Sequence, residues 1–211
     1  MLTIPQYIIA ARQFECDYSN VSIDALGLRP HNAARLVHAA LGLTTEVLEL
    51  LEAIKKNDHQ SQIEELGDIA WFAAIAHFTD VSSSNLKYER IESLMYLCER
   101  FASNIKAGVF YGNPVLKSDT SPTAWRQLPE SILYCTQAIA HRHGISNYLD
   151  VNIEKLTVRN RGKKHNVQAT IQRDPKAEAA AIAATLEGGN GPLKLADESG
   201  LASILLNKIN H

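Results

Sequence analysis

The sequence predicts an all-α fold, because apolar residues recur with helical spacing along most of the chain and strand-type alternation is absent. The chain has 211 residues, of which 45% are hydrophobic, and this is enough to bury a full core. Polar turns and segments containing Gly or Pro separate the periodic stretches. This organisation is typical of a helical bundle.

Composition excludes several functional classes. The net charge of −2 favours neither nucleic-acid binding nor attachment to an acidic membrane surface. The three cysteines lack metal-site spacing, and the eight histidines form no HxxxH or HExxH pair, which argues against zinc chemistry. No signal peptide or membrane-spanning run is evident, so we expect a cytoplasmic protein.

The first predicted helix begins with a capping box formed by Thr3 and Gln6 and runs to about Glu15. Its apolar face would consist of Tyr7, Ile8, Ala11 and Phe14. A loop or short turn follows over residues 16–29, and Pro30 suits the first position of the next helix.

Residues 36–78 predict two antiparallel amphipathic helices joined by a polar turn at 56–60. The second helix is predicted to begin at a capping box formed by Ser61 and Glu64. This helix pair is the part of the sequence that indicates chemistry.

Each helix of the pair carries two acidic residues three positions apart, Glu46 with Glu49 and Glu65 with Asp68. On a helical wheel Glu46 and Glu65 lie on or beside the apolar stripe. An uncompensated carboxylate there costs several kcal/mol and must be protonated, paired or bound to a cation. No Lys or Arg occupies a matching position on either helix, so the pattern predicts a hard divalent cation, Mg²⁺ or Mn²⁺.

The alternative is that these acids are simply solvated, as we expect for Glu52 and Glu64, which lie further round their helices. A di-iron carboxylate bundle is excluded because it needs ExxH spacing, and no histidine lies three residues after Glu46, Glu49 or Glu65.

The pattern E-x-x-E, a gap and E-x-x-D resembles the metal motif of the MazG-like all-α nucleoside triphosphate pyrophosphatases. The 15 residues between Glu49 and Glu65 fit that family's spacing. The stretches HAALGLTTEVLELLEAIKK and EELGDIAWF resemble its phage-type, stand-alone members. The resemblance implies an all-α bundle whose acidic quartet binds metal.

A second helical pair is predicted at 86–107 and 125–143, and it resembles a faded repeat of the first. In an alignment of the two pairs, Arg126 and Gln127 replace Glu64 and Glu65. A site that needs four carboxylates cannot be rebuilt there. We therefore expect this pair to supply packing and one wall of a pocket.

The next predicted helix, 146–160, places Asn152, Lys155 and Arg159 on one face at i, i+3 and i+7. The run resembles the family's N-x-x-K-L element, which implies that these side chains bind the triphosphate. A solvated surface stripe is the alternative. Lys55 and Lys56, at the end of the first acidic helix, are further candidates for phosphate contacts.

Past residue 160 the composition changes, and we expect a domain at 1–160 followed by a helical C-terminal extension at 161–211. The extension begins with a basic connector whose cations, Arg161, Lys163 and Lys164, are further candidates to contact phosphate. Asp174 is a predicted N-cap, with Pro175 at the first helical position and an end at the glycines 188–189. A last amphipathic segment either packs on the core or contacts a neighbouring subunit.

The resemblance implies hydrolysis of a (d)NTP to a (d)NMP and diphosphate with two or three Mg²⁺ or Mn²⁺ ions. In this interpretation Glu46 or Glu49 deprotonates the attacking water. One branch of the phage-type enzymes acts on dGTP, so we expect purine deoxynucleotides, dGTP first, and a role in nucleotide pool control. A pyrimidine-selective dUTP or dCTP enzyme and a non-catalytic helical interaction module are the alternatives.

We also expect a homo-oligomer, either a dimer or a tetramer, which would lie in the host cytoplasm if the chain is phage-encoded. In the phage-type relatives the N-terminal region lies near the base pocket, so the resemblance implies base contacts from Gln6, Asn20, His31 and Asn32. The alternative is that they are ordinary loop and cap residues.

Overall fold

The computed structural model describes residues 2–14, 30–78, 89–111, 124–160 and 173–185. Within these ranges the chain forms α-helices and one short 3₁₀ helix, with no strand, which confirms the predicted all-α class. None of these helices is long and apolar enough to cross a membrane. The elements are α1 (Ile4–Arg12), α2 (Pro30–Lys55), α3 (His59–Ala76), α4 (Ile91–Tyr111), the 3₁₀ helix (Ala124–Gln127), α5 (Leu128–Arg142), α6 (Tyr148–Asn160) and α7 (Pro175–Thr185).

Helix α3 is at the centre of the bundle. It packs against α2, α5 and α6, and also contacts α1 and, less extensively, α7. Its C-terminal half is apolar on every side, and its buried residues there are Ile69, Ala70, Trp71, Ala73, Ala74, Ile75 and Ala76. A helix that is hydrophobic all round requires neighbours all round. Helix α4 closes the bundle by packing on both α2 and α5, and α7 packs chiefly on α6.

Helix α1 begins with the predicted capping box. The Thr3 hydroxyl accepts a bond from the Gln6 amide, and the Thr3 amide donates to the Gln6 side chain. The predicted apolar face is directed inward, although the helix ends at Arg12 rather than near Glu15. The Trp71 indole N–H donates to the Ala11 carbonyl at 3.2 Å and thereby ties α1 to α3.

The predicted capping box at Ser61 is wrong. The N-cap of α3 lies three residues earlier, at Asp58, whose carboxylate accepts bonds from both the amide and the hydroxyl of Ser61. These bonds lower the pKa of Asp58. Asn57, in a left-handed conformation with φ of 55°, reverses the chain just before this cap. Glu64 cannot complete a capping box because its carboxylate binds a cation elsewhere.

Two other predicted helix starts, at Pro30 and Asp174, are confirmed. Pro30 does begin α2, and Asp174 does cap α7 by accepting bonds from the amides of Lys176 and Ala177. Helix α5 begins at Leu128, because the preceding residues form the 3₁₀ helix. The predicted loop at 16–29, the segment 79–88, the connector at 161–172 and the last amphipathic segment lie outside the described residues.

Gly67 allows α6 to lie close to α3. A Cβ added at Gly67 would lie 2.8 Å from the Asn152 Cβ and 3.0 Å from the Tyr148 carbonyl oxygen. Distances this short leave no room for a side chain. The close packing brings Asn152 and Lys155 to the acidic face of α3.

We expect Gly67→Ala to destabilise the protein by about 1–3 kcal/mol, because the new methyl group would push α6 away from α3. Alanine normally stabilises a helix relative to glycine by about 1 kcal/mol, so the expected sign is reversed here. Thermal unfolding followed by circular dichroism measures the change. A higher melting temperature for Gly67→Ala would contradict the close approach.

Candidate metal centre

Three carboxylates from two helices meet at the α2–α3 hairpin. Glu46 and Glu49 lie on consecutive turns of α2, and Glu65 faces them from α3. One carboxylate oxygen from each of the three lies within 4.8 Å of the others. Glu46 and Glu65 are half-buried, whereas Glu49 is exposed. A donor set made only of carboxylate oxygens is the set that a hard divalent cation prefers.

The Glu46 and Glu65 carboxyl groups are electrostatically coupled. Burial raises the pKa of both groups, and the nearby Asp68 carboxylate raises each of them further. Protonated Glu65 donates a hydrogen bond to Glu46, which raises the pKa of Glu65 and counteracts the rise at Glu46. In the absence of a metal the pair therefore retains a proton at neutral pH. A divalent cation would replace that proton.

Asp68, the fourth predicted ligand, is not one of the three clustered carboxylates, but it is close enough for its charge to act on Glu46 and Glu65. It is held by residues of α6. The Asn152 side-chain amide donates to its Oδ1 at 2.7 Å, and the Lys155 ammonium pairs with its Oδ2. The structure thus brings Glu46, Glu49 and Glu65 together and fixes Asp68 at the edge of that cluster.

Lys155 is a buried counter-ion for the acids of α3. Its side chain is 1% exposed, and its Nζ lies 2.9 Å from Glu64 Oε1 in addition to its pairing with Asp68. Burial alone would lower the pKa of Lys155, but the two carboxylates outweigh that effect and raise it. The lysine is therefore charged.

The sequence-based expectation of a solvated Glu64 is wrong, because this carboxylate pairs with Lys155. The cation that matches these acids comes from α6 rather than from α2 or α3. The N-x-x-K pattern marks Lys155 as a candidate site residue but does not indicate its carboxylate partners. Glu52, in contrast, is exposed as expected and pairs with Lys56 one turn later at 2.6 Å.

Arg159 is also neutralised by an acidic side chain. Its Nε and a terminal nitrogen lie 3.1 and 2.7 Å from the two carboxylate oxygens of Glu178 on α7. Such a bidentate pair has the geometry that arginine favours with carboxylates. Sequence reasoning did not anticipate Glu178. All three predicted phosphate-binding side chains of α6 therefore have carboxylate partners here.

The remaining candidates are dispersed. Lys55 is exposed at the end of α2. Gln6 is used in the α1 capping box. Asn20 and the side chains of His31 and Asn32 lie outside the described part of the structure.

An aromatic cluster, not anticipated from the sequence, lies next to the carboxylates. Phe72 packs edge-to-face with His38 at 5.3 Å and with Trp71 at 4.7 Å between ring centroids. The Phe72 ring also lies directly over Gly42, one helical turn before Glu46, where any side chain would collide with it. His38 and Phe72 are only half-buried, and Phe72 lies one helical turn after Asp68 on α3, so an aromatic surface is accessible near the acidic residues.

Residues 37–89 match the family model described as the MazG nucleotide pyrophosphohydrolase domain. This stretch contains the acidic hairpin, which is therefore similar to that domain. The match covers all four predicted metal ligands and confirms the MazG-like resemblance for this stretch. It supports nucleotide pyrophosphohydrolase activity in general. No curated protein and no solved structure matches the chain.

The raised pKa values of Glu46 and Glu65 predict a pH-dependent stability of the metal-free protein. Glu46 and Glu65 bind protons more tightly in the folded state than in the unfolded state. Their contribution to stability is therefore complete below the ordinary value of 4.5 and is lost as the pH rises through the raised values. The glutamine side chain of Glu65→Gln cannot ionise. In EDTA at pH 8, the melting temperature of this variant should therefore be about 2–4 °C above that of the wild type.

The comparison with Glu65→Gln at each pH isolates this effect. Burial lowers the pKa of His77 and of His143, and this gives a pH dependence of stability opposite to that of the glutamates. The wild type and Glu65→Gln both retain these histidines, so their effect cancels in the comparison. Thermal melts from pH 5 to pH 9 provide the measurement. Parallel melting curves for the two proteins across this range would contradict the coupled carboxyl pair.

Lys155→Met should destabilise the protein by about 1–3 kcal/mol, because Asp68 and Glu64 would lose their counter-ion at a half-buried position. The matched control is Lys56→Met, which removes an exposed ion pair with Glu52 and should leave the urea midpoint almost unchanged. Urea unfolding measures both variants. Equal effects would show that the burial of Lys155 has no energetic importance.

Proposed function

We propose that the protein is a metal-dependent nucleoside triphosphate pyrophosphohydrolase that converts a (d)NTP and water to a (d)NMP and diphosphate. The single observation that best supports this proposal is the clustering of Glu46, Glu49 and Glu65 within 4.8 Å in the stretch that matches the MazG domain. We further propose a role in the control of nucleotide pools.

The proposed metal ligands are Glu46, Glu49, Glu65 and Asp68, which would hold two or three Mg²⁺ or Mn²⁺ ions. The chemistry of this donor set fits such ions, since every proposed ligand is a carboxylate and a cation can replace the proton that Glu46 and Glu65 retain. When bound, the cation would supply Lewis-acid chemistry that neutralises phosphate charge and makes a water molecule more acidic. We propose that Glu46 or Glu49 accepts the proton of the attacking water.

The proposed phosphate contacts are Lys55, Asn152, Lys155 and Arg159. Lys55 is exposed at the C-terminal end of α2, whereas the cations of α6 are paired with carboxylates. A bound triphosphate is an anion like these carboxylates, so it would compete with them for Lys155 and Arg159 or share these cations with them. Lys155 and Arg159 would then stabilise the charge that develops on the diphosphate.

The half-buried rings of His38 and Phe72 support a nucleotide substrate, because a flat base can pack on an aromatic wall beside a phosphate-binding centre. Among nucleotides we propose purine deoxynucleotides, dGTP first, on the basis of the resemblance to phage-type members. We also propose a homo-oligomer, for which the exposed Leu41 and Leu48 of α2 supply apolar surface.

The first test is incubation with the eight common ribonucleoside and deoxyribonucleoside triphosphates and dUTP, with Mg²⁺ or Mn²⁺. Chromatography would quantify monophosphate and diphosphate. We expect the fastest turnover with dGTP. Faster turnover of dUTP or dCTP would replace dGTP by a pyrimidine substrate, and inactivity on the whole panel would favour a non-catalytic interaction module.

The site itself is tested by Glu65→Gln, which should lower turnover by about 100-fold or more while helicity is retained. The matched control is Glu52→Gln, because Glu52 lies on the same hairpin, is exposed and pairs only with Lys56 among the contacts described. Full activity of Glu65→Gln would overturn the proposed site.

A further inference from the structure

Tyr7 of α1 joins the candidate site from a distant part of the chain. Its side chain is completely buried, and its hydroxyl lies 2.6 Å from the Asn152 Oδ1 and 3.1 Å from the Gly67 carbonyl oxygen. Tyr7 lies outside the range that matches the MazG domain, and nothing in the pattern of acidic residues involves it. Its position at this depth therefore calls for a physical explanation.

A tyrosine hydroxyl has one proton to donate, and both of its neighbours here are acceptors. The shorter distance identifies Asn152 as its main partner, with the Gly67 carbonyl as a weaker second acceptor. Burial raises the pKa of Tyr7, and the Asp68 carboxylate raises it further, so the hydroxyl remains a donor at every physiological pH.

This hydrogen bond determines which way the Asn152 amide faces. With its oxygen directed at Tyr7, the amide presents its nitrogen to Asp68 Oδ1 at 2.7 Å. The other Asp68 oxygen is paired with Lys155. Both carboxylate oxygens of Asp68 are thus held from the side of α6, and the orientation of one of these contacts depends on Tyr7.

We propose that Tyr7 is a positioning residue of the metal centre, which acts through the Asn152 amide to hold Asp68 beside the three clustered glutamates. This inference rests on the proposed function, because it takes the cluster to be a metal site. Without the Tyr7 hydroxyl, the Asn152 oxygen would lie in a buried space near the Gly67 carbonyl with no donor. The amide would then rotate, and Asp68 would lose one of its two fixed contacts.

Binding of Mn²⁺ alone, measured by calorimetry without nucleotide, tests this proposal on the full chain. Tyr7→Phe removes only the hydroxyl, and we expect it to weaken Mn²⁺ binding about 10-fold, the usual effect of removing a hydrogen bond that orients a metal ligand. The matched control is Thr136→Val. Thr136 is also completely buried, and its hydroxyl donates to a carbonyl within α5.

If Tyr7 had only a structural role, Tyr7→Phe and Thr136→Val would have the same effect on Mn²⁺ affinity. We expect each variant to lose about 1 kcal/mol of stability, but only Tyr7→Phe to bind Mn²⁺ more weakly. Equal Mn²⁺ affinities for Tyr7→Phe, Thr136→Val and the wild type would overturn the inference. A wild type that binds no Mn²⁺ would instead reject the proposed metal centre itself, so the two failures are distinguishable.

A double-mutant cycle with Asn152→Ala tests whether Tyr7 acts through the amide. In the Asn152→Ala background, Tyr7→Phe should change Mn²⁺ affinity less than twofold, since there is no amide left to orient. An undiminished 10-fold effect in that background would contradict the proposed route. If Tyr7→Phe does not fold, the single variant Asn152→Ala tests the proposal instead. Unchanged Mn²⁺ affinity in Asn152→Ala would show that the amide is not needed to hold Asp68 and would overturn the proposal.

Discussion

The buried ammonium group of Lys155 is the interaction on which the rest of the site depends. A charge with 1% of its side chain exposed is tolerated only when opposite charges and hydrogen bonds compensate for its lost hydration. Asp68 and Glu64 provide this compensation, and both belong to α3. The close packing of α6 on α3, the glycine that allows it and the fixed position of Asp68 are therefore parts of one electrostatic arrangement.

The same arrangement separates two kinds of carboxylate on neighbouring turns. Acids that have a counter-ion within the chain, such as Asp68 and Glu64, are paired at the base of the site. Within the described part of the chain, Glu46 and Glu65 form no ion pair with a cation of their own and together retain a proton instead. Two half-buried carboxyl groups this close do not both ionise unless positive charge is added. A bound cation would supply that charge and replace the retained proton.

The sequence predicted the fold class and the acidic hairpin because both follow from local spacing. Helical periodicity identified α1, α2 and α3, and the i, i+3 spacing placed Glu46 and Glu49 on one face. The predicted capping box at Ser61 is wrong because Asn57 makes a turn and Asp58, three residues before Ser61, caps the helix instead. The partners of Lys155 and Arg159, and the role of Tyr7, depend on contacts between helices that are distant in sequence, which no local pattern encodes.

These long separations have a consequence for the order in which the molecule is assembled. The Tyr7–Asn152 bond closes a loop of 145 residues, and the Lys155–Asp68 pair closes one of 87. Contacts of such high order form late, because the entropy of loop closure must be overcome before they contribute stability. During synthesis on the ribosome, the acidic hairpin emerges well before α6 and its compensating cation. A nascent chain therefore carries these acidic residues as a hydrated, uncompensated surface, and the site becomes a defined structure only when α6 has been added.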